Sequence, residues 1–267
     1  MRFFLAPKKS LGQNFLIDQN IINKIVNVKK IKKNSTIVEI GPGYGSLTKK
    51  ILGLNPKKLI LIEKDKKLSI FLKKQFAHLK NIKVINQDIL NEINYNNVDN
   101  NIIVFGNLPY NISTKVLTSL ILIKKWPPWY ESLIFMFQKE VADRIIAKHN
   151  TKQFGRLSVI SNWRLDVTKH FEISKNCFSP SPKVNSTLLS FKPKSNIYKI
   201  KNPENLEIVT RILFSNRRKM INKNFKKLFK NSYSVAEELD LDLKKRPGEL
   251  ASEIFYKIAV KYEQLTE

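Results

Sequence analysis

Cysteine, histidine and acidic residues are scarce in this sequence. Its 267 residues include one cysteine, Cys177, three histidines, and 22 Asp+Glu against 48 Lys+Arg. A single cysteine excludes an internal disulfide and a cysteine-based zinc site; it reads as a small apolar residue. His78, His149 and His170 are scattered without metal-ligand spacing, so no metal is expected. Long hydrophobic runs are missing too. The longest, around Leu117–Ile123 and Leu133–Phe137, fall far short of the roughly 20 residues of a spanning helix, and no membrane association is expected. The apolar run after Met1-Arg2 is too short for a secretory signal, which points to the cytoplasm. The shortage of acid leaves a formal net charge of +26, which favours an acidic partner, nucleic acid above all. At 42% hydrophobic and 26% charged residues, the composition is globular rather than that of a disordered basic tail. The basic excess is mostly Lys, in a chain also rich in Asn and Ile. A genome biased towards A and T produces such usage without selection for binding, so the distribution of charge matters more than its sum.

The first two thirds alternate between strands and helices. Thr36–Ile40, Lys58–Ile62, Ile82–Ile85 and Asn101–Phe105 are near-continuous apolar runs, as in a parallel sheet covered on both faces. Helical stretches follow the first two, at Ser46–Leu54 and Lys66–Leu79. This order predicts a doubly wound α/β sheet, whose ligands bind beyond the carboxyl ends of the strands. Glu39, Glu63, Asp88 and Asn107 close the four runs and share that rim. After the proline-rich Phe178–Lys183 and the run to Pro193, the chain turns to amphipathic helices at Glu204–Phe214, Asn216–Phe229, Val235–Asp240 and Ala251–Glu263. The expected division is residues 1–189, with a basic arm over 1–17, and a small α-helical domain over 190–267.

Several segments carry chemistry. Val38-Glu-Ile-Gly-Pro-Gly-Tyr-Gly45 puts glycines between a strand and a helix, where backbone can approach a ligand. Glu63 lies 22 residues after Gly41, near the spacing at which an acid takes ribose hydroxyls. Nicotinamide, flavin and S-adenosylmethionine (SAM) sites share that pattern, but Glu39 beside the loop would repel a pyrophosphate and tolerate the cationic SAM. Asn107-Leu-Pro-Tyr110 offers an amide oxygen, a proline-fixed backbone carbonyl and an aromatic face: acceptors and a stacking surface for the exocyclic amino group of a base. Phe178-Ser-Pro-Ser-Pro-Lys183 reads in two ways. Phe178 covers the second face of a flipped base with Lys183 on a phosphate, or the segment is a proline-rich crossover with a buried Phe. Lys8–Leu16 suggests a lid over the cofactor.

Charge is uneven. Arg211–Lys230 holds eight basic residues and no acidic one, whereas the stretch from Ser186 onwards carries only +7 and the first 185 residues +19. Helical spacing would gather Arg211, Arg218, Lys219, Lys226 and Lys230 on one face, with Arg217 and Lys223 alongside, as a phosphate-binding surface.

Together these segments resemble the small-subunit rRNA adenine-N6,N6-dimethyltransferases, the KsgA/Dim family. The resemblance runs from Lys9-Ser-Leu-Gly-Gln-Asn-Phe-Leu16 through the glycine loop, Gln87-Asp-Ile-Leu90 and Gly106–Thr114. It continues through Gln138–Arg144, Gly155–Val159 and Phe178–Ser186 to Phe214–Lys219 and Arg246–Leu250. It implies a Rossmann-like SAM-dependent methyltransferase domain with a small C-terminal helical domain. It also implies a cofactor site of Asn14, Leu16, Glu39, Gly41, Gly43, Glu63, Asp88, Ile89 and Asn107, with Glu63 on the ribose and Asp88 on the cofactor's adenine amino group. The target adenine would be held by Asn107, Leu108, Pro109 and Tyr110, with Phe178 stacked on it. The implied reaction is dimethylation of two adjacent adenines near the 3′ end of small-subunit rRNA in a pre-30S particle, by a monomer. Lys115 and Asn150–Gln153 depart from the family pattern, away from the catalytic positions. Two alternatives share the fold: a large-subunit rRNA adenine methyltransferase of the antibiotic-resistance type, and a non-catalytic assembly or transcription factor.

Overall fold

The computed structural model describes residues 7–8, 11–93 and 102–266. The beginning of the expected arm, including Lys9 and Ser10 of its motif, lies outside the described residues, as does Asn101, the expected first residue of a strand.

In chain order the elements are β1 (Phe15–Leu16), α1 (Gln19–Val26), β2 (Thr36–Ile40), α2 (Ser46–Leu52), β3 (Lys58–Ile62), α3 (Lys66–Gln75), β4 (Ile82–Ile85) and β5 (Ile102–Gly106). Next come α4 (Tyr110–Ile121), β6 (Ser132–Gln138), α5 (Lys139–Ile145), α6 (Arg156–Arg164), β7 (Leu165–Ile173), β8 (Phe178–Ser179) and β9 (Ser186–Pro193). The last helices are α7 (Pro203–Leu213), α8 (Asn222–Phe225), α9 (Ser232–Glu238) and α10 (Ser252–Thr266). Every residue of β2 and β5 is buried, which is why these runs lack the alternation of a half-exposed strand. Carboxylates start the early helices: Asp18 accepts from Ile21 N–H ahead of α1, and Asp65 from Lys67 N–H ahead of α3.

Seven strands form one sheet in the order β4-β3-β2-β5-β6-β9-β7. From β4 to β6 the pairs are parallel, and β9 runs antiparallel to β6. Chain direction across the sheet reverses between β2 and β5, the switch point where doubly wound sheets open a ligand crevice. Register sets the rim. Ile85 pairs with Ile62, Ile62 with Ile40, and Ile40 with Gly106. The next residue on β3, β2 and β5 is therefore Glu63, Gly41 and Asn107, all at one level. Under the sheet, Ile37, Leu59, Leu61, Ile103, Phe105 and Ile134 pack with α1–α3 side chains in one core.

The described chain divides into two compact units, one spanning residues 1–120, 127–142 and 168–193, the other 121–126, 143–167 and 194–267. The second unit thus takes in two earlier segments besides the C-terminal helices. The expected boundary near Ser190 falls inside β9, because Ser186–Phe191 extends the sheet against β6. The expected helix over Asn216–Phe229 is replaced by a turn and the short α8. Lys219 N–H bonds to Asn216 carbonyl and Ile221 N–H to Lys245 carbonyl, which redirects the chain so that Ile221 and Phe225 are buried. Within this unit Glu263 accepts from Lys201 N–H, Asn202 N–H and Asn205 Nδ2 (2.7–3.0 Å), tying α10 to the start of α7.

Candidate active site

A cavity opens at the carboxyl ends of β2, β3 and β5. Every cofactor-binding residue expected from the sequence lines it, from Asn14 and Leu16 to Asp88, Ile89 and Asn107, together with Leu108, Pro109 and Tyr110. The loop Gly41–Gly45 owes its shape to left-handed backbone, and Gly43 shows the need most clearly. Its φ is +59°, and a Cβ there would lie 2.8 Å from the ring of Phe15.

Glu63 is buried at the centre of the rim. Its Oε2 accepts from Gly43 N–H at 3.1 Å and its Oε1 from Asp65 N–H at 2.8 Å. Each oxygen has a second lone pair, so the carboxylate can take a pair of hydroxyl donors while still bracing the glycine loop. Burial raises its pKa, against the lowering effect of those N–H groups. Asp88 holds Lys64 Nζ at 2.8 Å and Leu90 N–H at 3.0 Å; the Lys64 bond leads in keeping its carboxyl below the usual range.

Glu39 lies beneath the loop, 1% exposed, and accepts from Thr48 Oγ1 at 2.6 Å. Burial pushes its pKa up to about 8. Glu39 is therefore not the fixed negative charge expected to repel a pyrophosphate: at neutral pH in the free chain, the group is mostly protonated. A cation arriving beside it would draw the proton off, so a cationic ligand should bind more tightly as pH rises towards 8, with proton release. The stability consequence has the opposite sign. A carboxyl raised from 4.5 to about 8 contributes stability below 4.5 and loses it as pH rises through 8. Glu39→Gln keeps an acceptor for Thr48, so it should raise the melting temperature of the cofactor-free chain at pH 8 relative to wild type, with a smaller gain at pH 5. An equal change at both pH values would contradict the raised pKa.

Asn107 is half-buried. Its Nδ2 donates to the Asn14 carbonyl at 3.0 Å. Tyr110 hydroxyl and Ser186 Oγ are 2.6 Å apart, which fastens the Asn-Leu-Pro-Tyr turn to the start of β9. Phe178 stands elsewhere than the stacking reading expects. It is 3% exposed, pairs with Leu16 in the β1–β8 ladder, and belongs to the core beneath the sheet. The crossover reading of that segment matches this placement. Phe178→Ala would open a core cavity at a cost of about 3–5 kcal/mol, so it is a poor probe of base stacking. Lys183 is exposed and does not line the cavity.

In the second unit Arg211, Arg217, Arg218, Lys219 and Lys223 are all exposed. They do not form one helical face, because the chain turns after Asn216. Arg217 donates to the carbonyls of Thr151 and Lys152, bracing the loop that departs from the family pattern.

The sequence model described as "Ribosomal RNA adenine dimethylase" matches residues 5–262. The chain belongs to this family. A "Ribosomal RNA small subunit methyltransferase A" from Pelagibacter ubique is 49% identical over 262 residues, covering 98% of this chain and 99% of that protein. A protein of the same name from Wolbachia (Drosophila simulans, strain wRi) is 38% identical, covering 99% and 96%. Among solved structures, a dimethyladenosine transferase from Plasmodium falciparum aligns with TM-score 0.77 and 27% identity over 93% of this chain and 97% of that one. The rRNA adenine dimethylase family makes the chain a methyltransferase, and its relatives' names favour the small subunit over the large-subunit and non-catalytic alternatives.

Sequence reasoning passed over Lys64, which lines the cavity, and Asp65, which caps α3 next to it. Both follow Glu63 directly at the end of β3, and that position on the rim was the available signal.

Proposed function

We propose that this rRNA adenine dimethylase transfers methyl groups from SAM to N6 of two adjacent adenines near the 3′ end of small-subunit rRNA. The substrate in this reading is a pre-30S particle in the cytoplasm, and the chain acts as a monomer. The observation that carries it is Asn107. Its amide nitrogen is engaged by a backbone carbonyl, which leaves its oxygen as an acceptor on the same rim as Glu63 and Asp88.

SAM, when bound, supplies an electrophilic methyl group. In this reading Glu63 takes the ribose hydroxyls with its remaining lone pairs, Asp88 accepts from the cofactor's adenine amino group, and Leu16 and Ile89 supply apolar walls. Glu39 answers the cofactor's positive charge. Asn14, Gly41 and Gly43 contribute backbone to the same site. Asn107 Oδ1 and the Leu108 carbonyl accept the two N6 hydrogens of the target adenine. That interaction turns the nitrogen lone pair out of the ring system towards the methyl group, and Tyr110 offers its ring face. Positioning supplies most of the acceleration, because the methylated nitrogen loses its proton readily without a strong base. No His, Cys, Asp or Glu cluster suited to a metal occurs among the described residues, and none is needed for these steps.

Lys183, Arg211, Arg218, Lys219 and Lys223 serve the rRNA backbone in this reading, and Arg217 shapes the Thr151–Lys152 loop of its own unit. The double charge reversal Arg218→Glu/Lys219→Glu should weaken particle binding and flatten its log–log salt dependence by roughly one to two. An unaltered slope in a filter-binding titration would return these residues to an ordinary solvated surface. For the function itself, small-subunit rRNA from a strain lacking this chain should lose N6,N6-dimethyladenine and regain it on re-expression. Retention of the modification after deletion would contradict the reading.

A further inference from the structure

Leu11–Leu16 packs against both the glycine loop and the Asn-Leu-Pro-Tyr turn. Phe15 lies on Gly43 and meets Tyr44 edge to face, with ring centroids 4.8 Å apart. Leu16 pairs with Phe178. Gly12, at φ +61°, packs on the Asn-Leu-Pro-Tyr turn: a Cβ there would sit 3.3 Å from Asn111 Oδ1 and 3.5 Å from Pro109 Cβ. Asn14 Nδ2 donates to the Gly12 carbonyl at 3.2 Å, closing this bend, and the Asn14 carbonyl receives Asn107 Nδ2 at 3.0 Å. A backbone carbonyl can only accept, so the amide edge turned to it must be the NH₂. The bend at Asn14 therefore decides which edge of the Asn107 amide is left for a ligand.

Asp65 anchors this segment. Its side chain is 3% exposed, and its Oδ2 is 2.8 Å from Lys8 Nζ and 3.4 Å from Gln13 Nε2. Lys8 N–H in turn donates to Gln13 Oε1 at 2.8 Å. Its other oxygen caps α3 through Lys67 N–H at 2.9 Å. A carboxylate this buried needs its cation, since leaving it unpaired is costly.

We infer that Asp65 is a positioning residue of the methyltransferase: through Lys8 and Gln13 it holds the segment whose Asn14 carbonyl orients the Asn107 amide. The inference rests on the proposed role of Asn107 as acceptor for the target amino group, and it adds a residue that contacts neither cofactor nor base. An electrostatic contact beside the ribose carboxylate thereby governs the acceptor geometry at the target adenine.

Two variants test it. Asp65→Asn removes the charge but keeps a helix cap, since Asn caps as well as Asp. Lys8→Glu reverses the exposed partner and leaves the buried residue alone. The direct readout is the Asn107 side-chain NH₂ in ¹⁵N–¹H spectra of the free protein, assigned by its loss in Asn107→Asp. In wild type one of its protons should exchange slowly. In both variants that protection should fall about tenfold, the size of a lost hydrogen bond to a charged group, and Lys8→Arg should preserve it. Single-turnover methyl transfer should fall in parallel, measured below the melting temperature of each variant, because Lys8→Glu leaves Asp65 unpaired and lowers stability. Protection that survives in both variants overturns the inference, and so does a rate that drops while protection stays. Should wild type transfer no methyl group at all, the proposed function fails, while the exchange measurement still decides the anchoring role of Asp65.

Discussion

Asn107→Ala should cost at least about 10²-fold in methyl transfer while leaving fold and particle binding intact. The magnitude follows from removing one preorganised polar contact at a reacting centre. Retention of the fold follows from its place: Asn107 lies just past β5, half-buried, outside the core beneath the sheet. The Leu108 carbonyl would remain as a single acceptor, so the target amino group would keep one partner and lose the geometry that turns its lone pair towards the methyl group. Single-turnover transfer at saturating SAM separates this loss from binding. Turnover within a few-fold of wild type would remove Asn107 from the chemistry.

Glu63→Ala should weaken SAM binding by about 10²-fold or more and also lower the melting temperature. Both effects come from one carboxylate. Its loss leaves the N–H groups of Gly43 and Asp65 without their partner in a buried site, at about 1–3 kcal/mol each. The glycine loop then loses its brace and the ribose its acceptor together. Glu63→Gln should be intermediate, because an amide offers one acceptor where the carboxylate offers two, and its NH₂ must face a backbone N–H. Calorimetric titration with SAM and thermal unfolding read the two consequences separately. An alanine variant that binds SAM within threefold of wild type would show that the ribose is held elsewhere.

The parts of the fold legible in the sequence are those where one physical signal dominates. β2 and β3 begin and end where the apolar runs do, because buried parallel strands are uninterrupted and close on a polar or glycine residue; the partly exposed edge strand β4 has the expected bounds as well. The rim residues Glu63 and Asn107 follow β3 and β5 directly and Asp88 lies three residues past β4, whereas Glu39 is one residue inside the end of β2, beneath the loop. The failures lie where distant contacts override a local pattern. Asn216–Phe229 has helical spacing, but bonds to Lys245 and burial of Ile221 and Phe225 break it into a turn and α8. The domain boundary expected at Ser190 falls inside β9, because β6 lies beside it. Phe178 suited either a stacking face or a core, and its pairing with Leu16, far away in sequence, placed it in the core. The same separation hid one bond of the arm, since nothing local to Asn14 announces its contact with Asn107.

The net charge of +26 becomes less informative once the structure is known. Arg217 is engaged by carbonyls of its own unit, and the remaining cations are spread over a turn rather than a single helix face. In the proposed reading, specificity for an adenine amino group comes instead from the Asn107 turn, where charge plays no direct part.

The most direct test of this account is transfer of labelled methyl groups from SAM to undermethylated small ribosomal subunits by the purified chain, with the modified bases mapped. The account predicts N6,N6-dimethyladenine at two adjacent positions near the 3′ end of the small-subunit rRNA and no label in large-subunit rRNA. Label confined to large-subunit rRNA, or no transfer to either subunit, would contradict it.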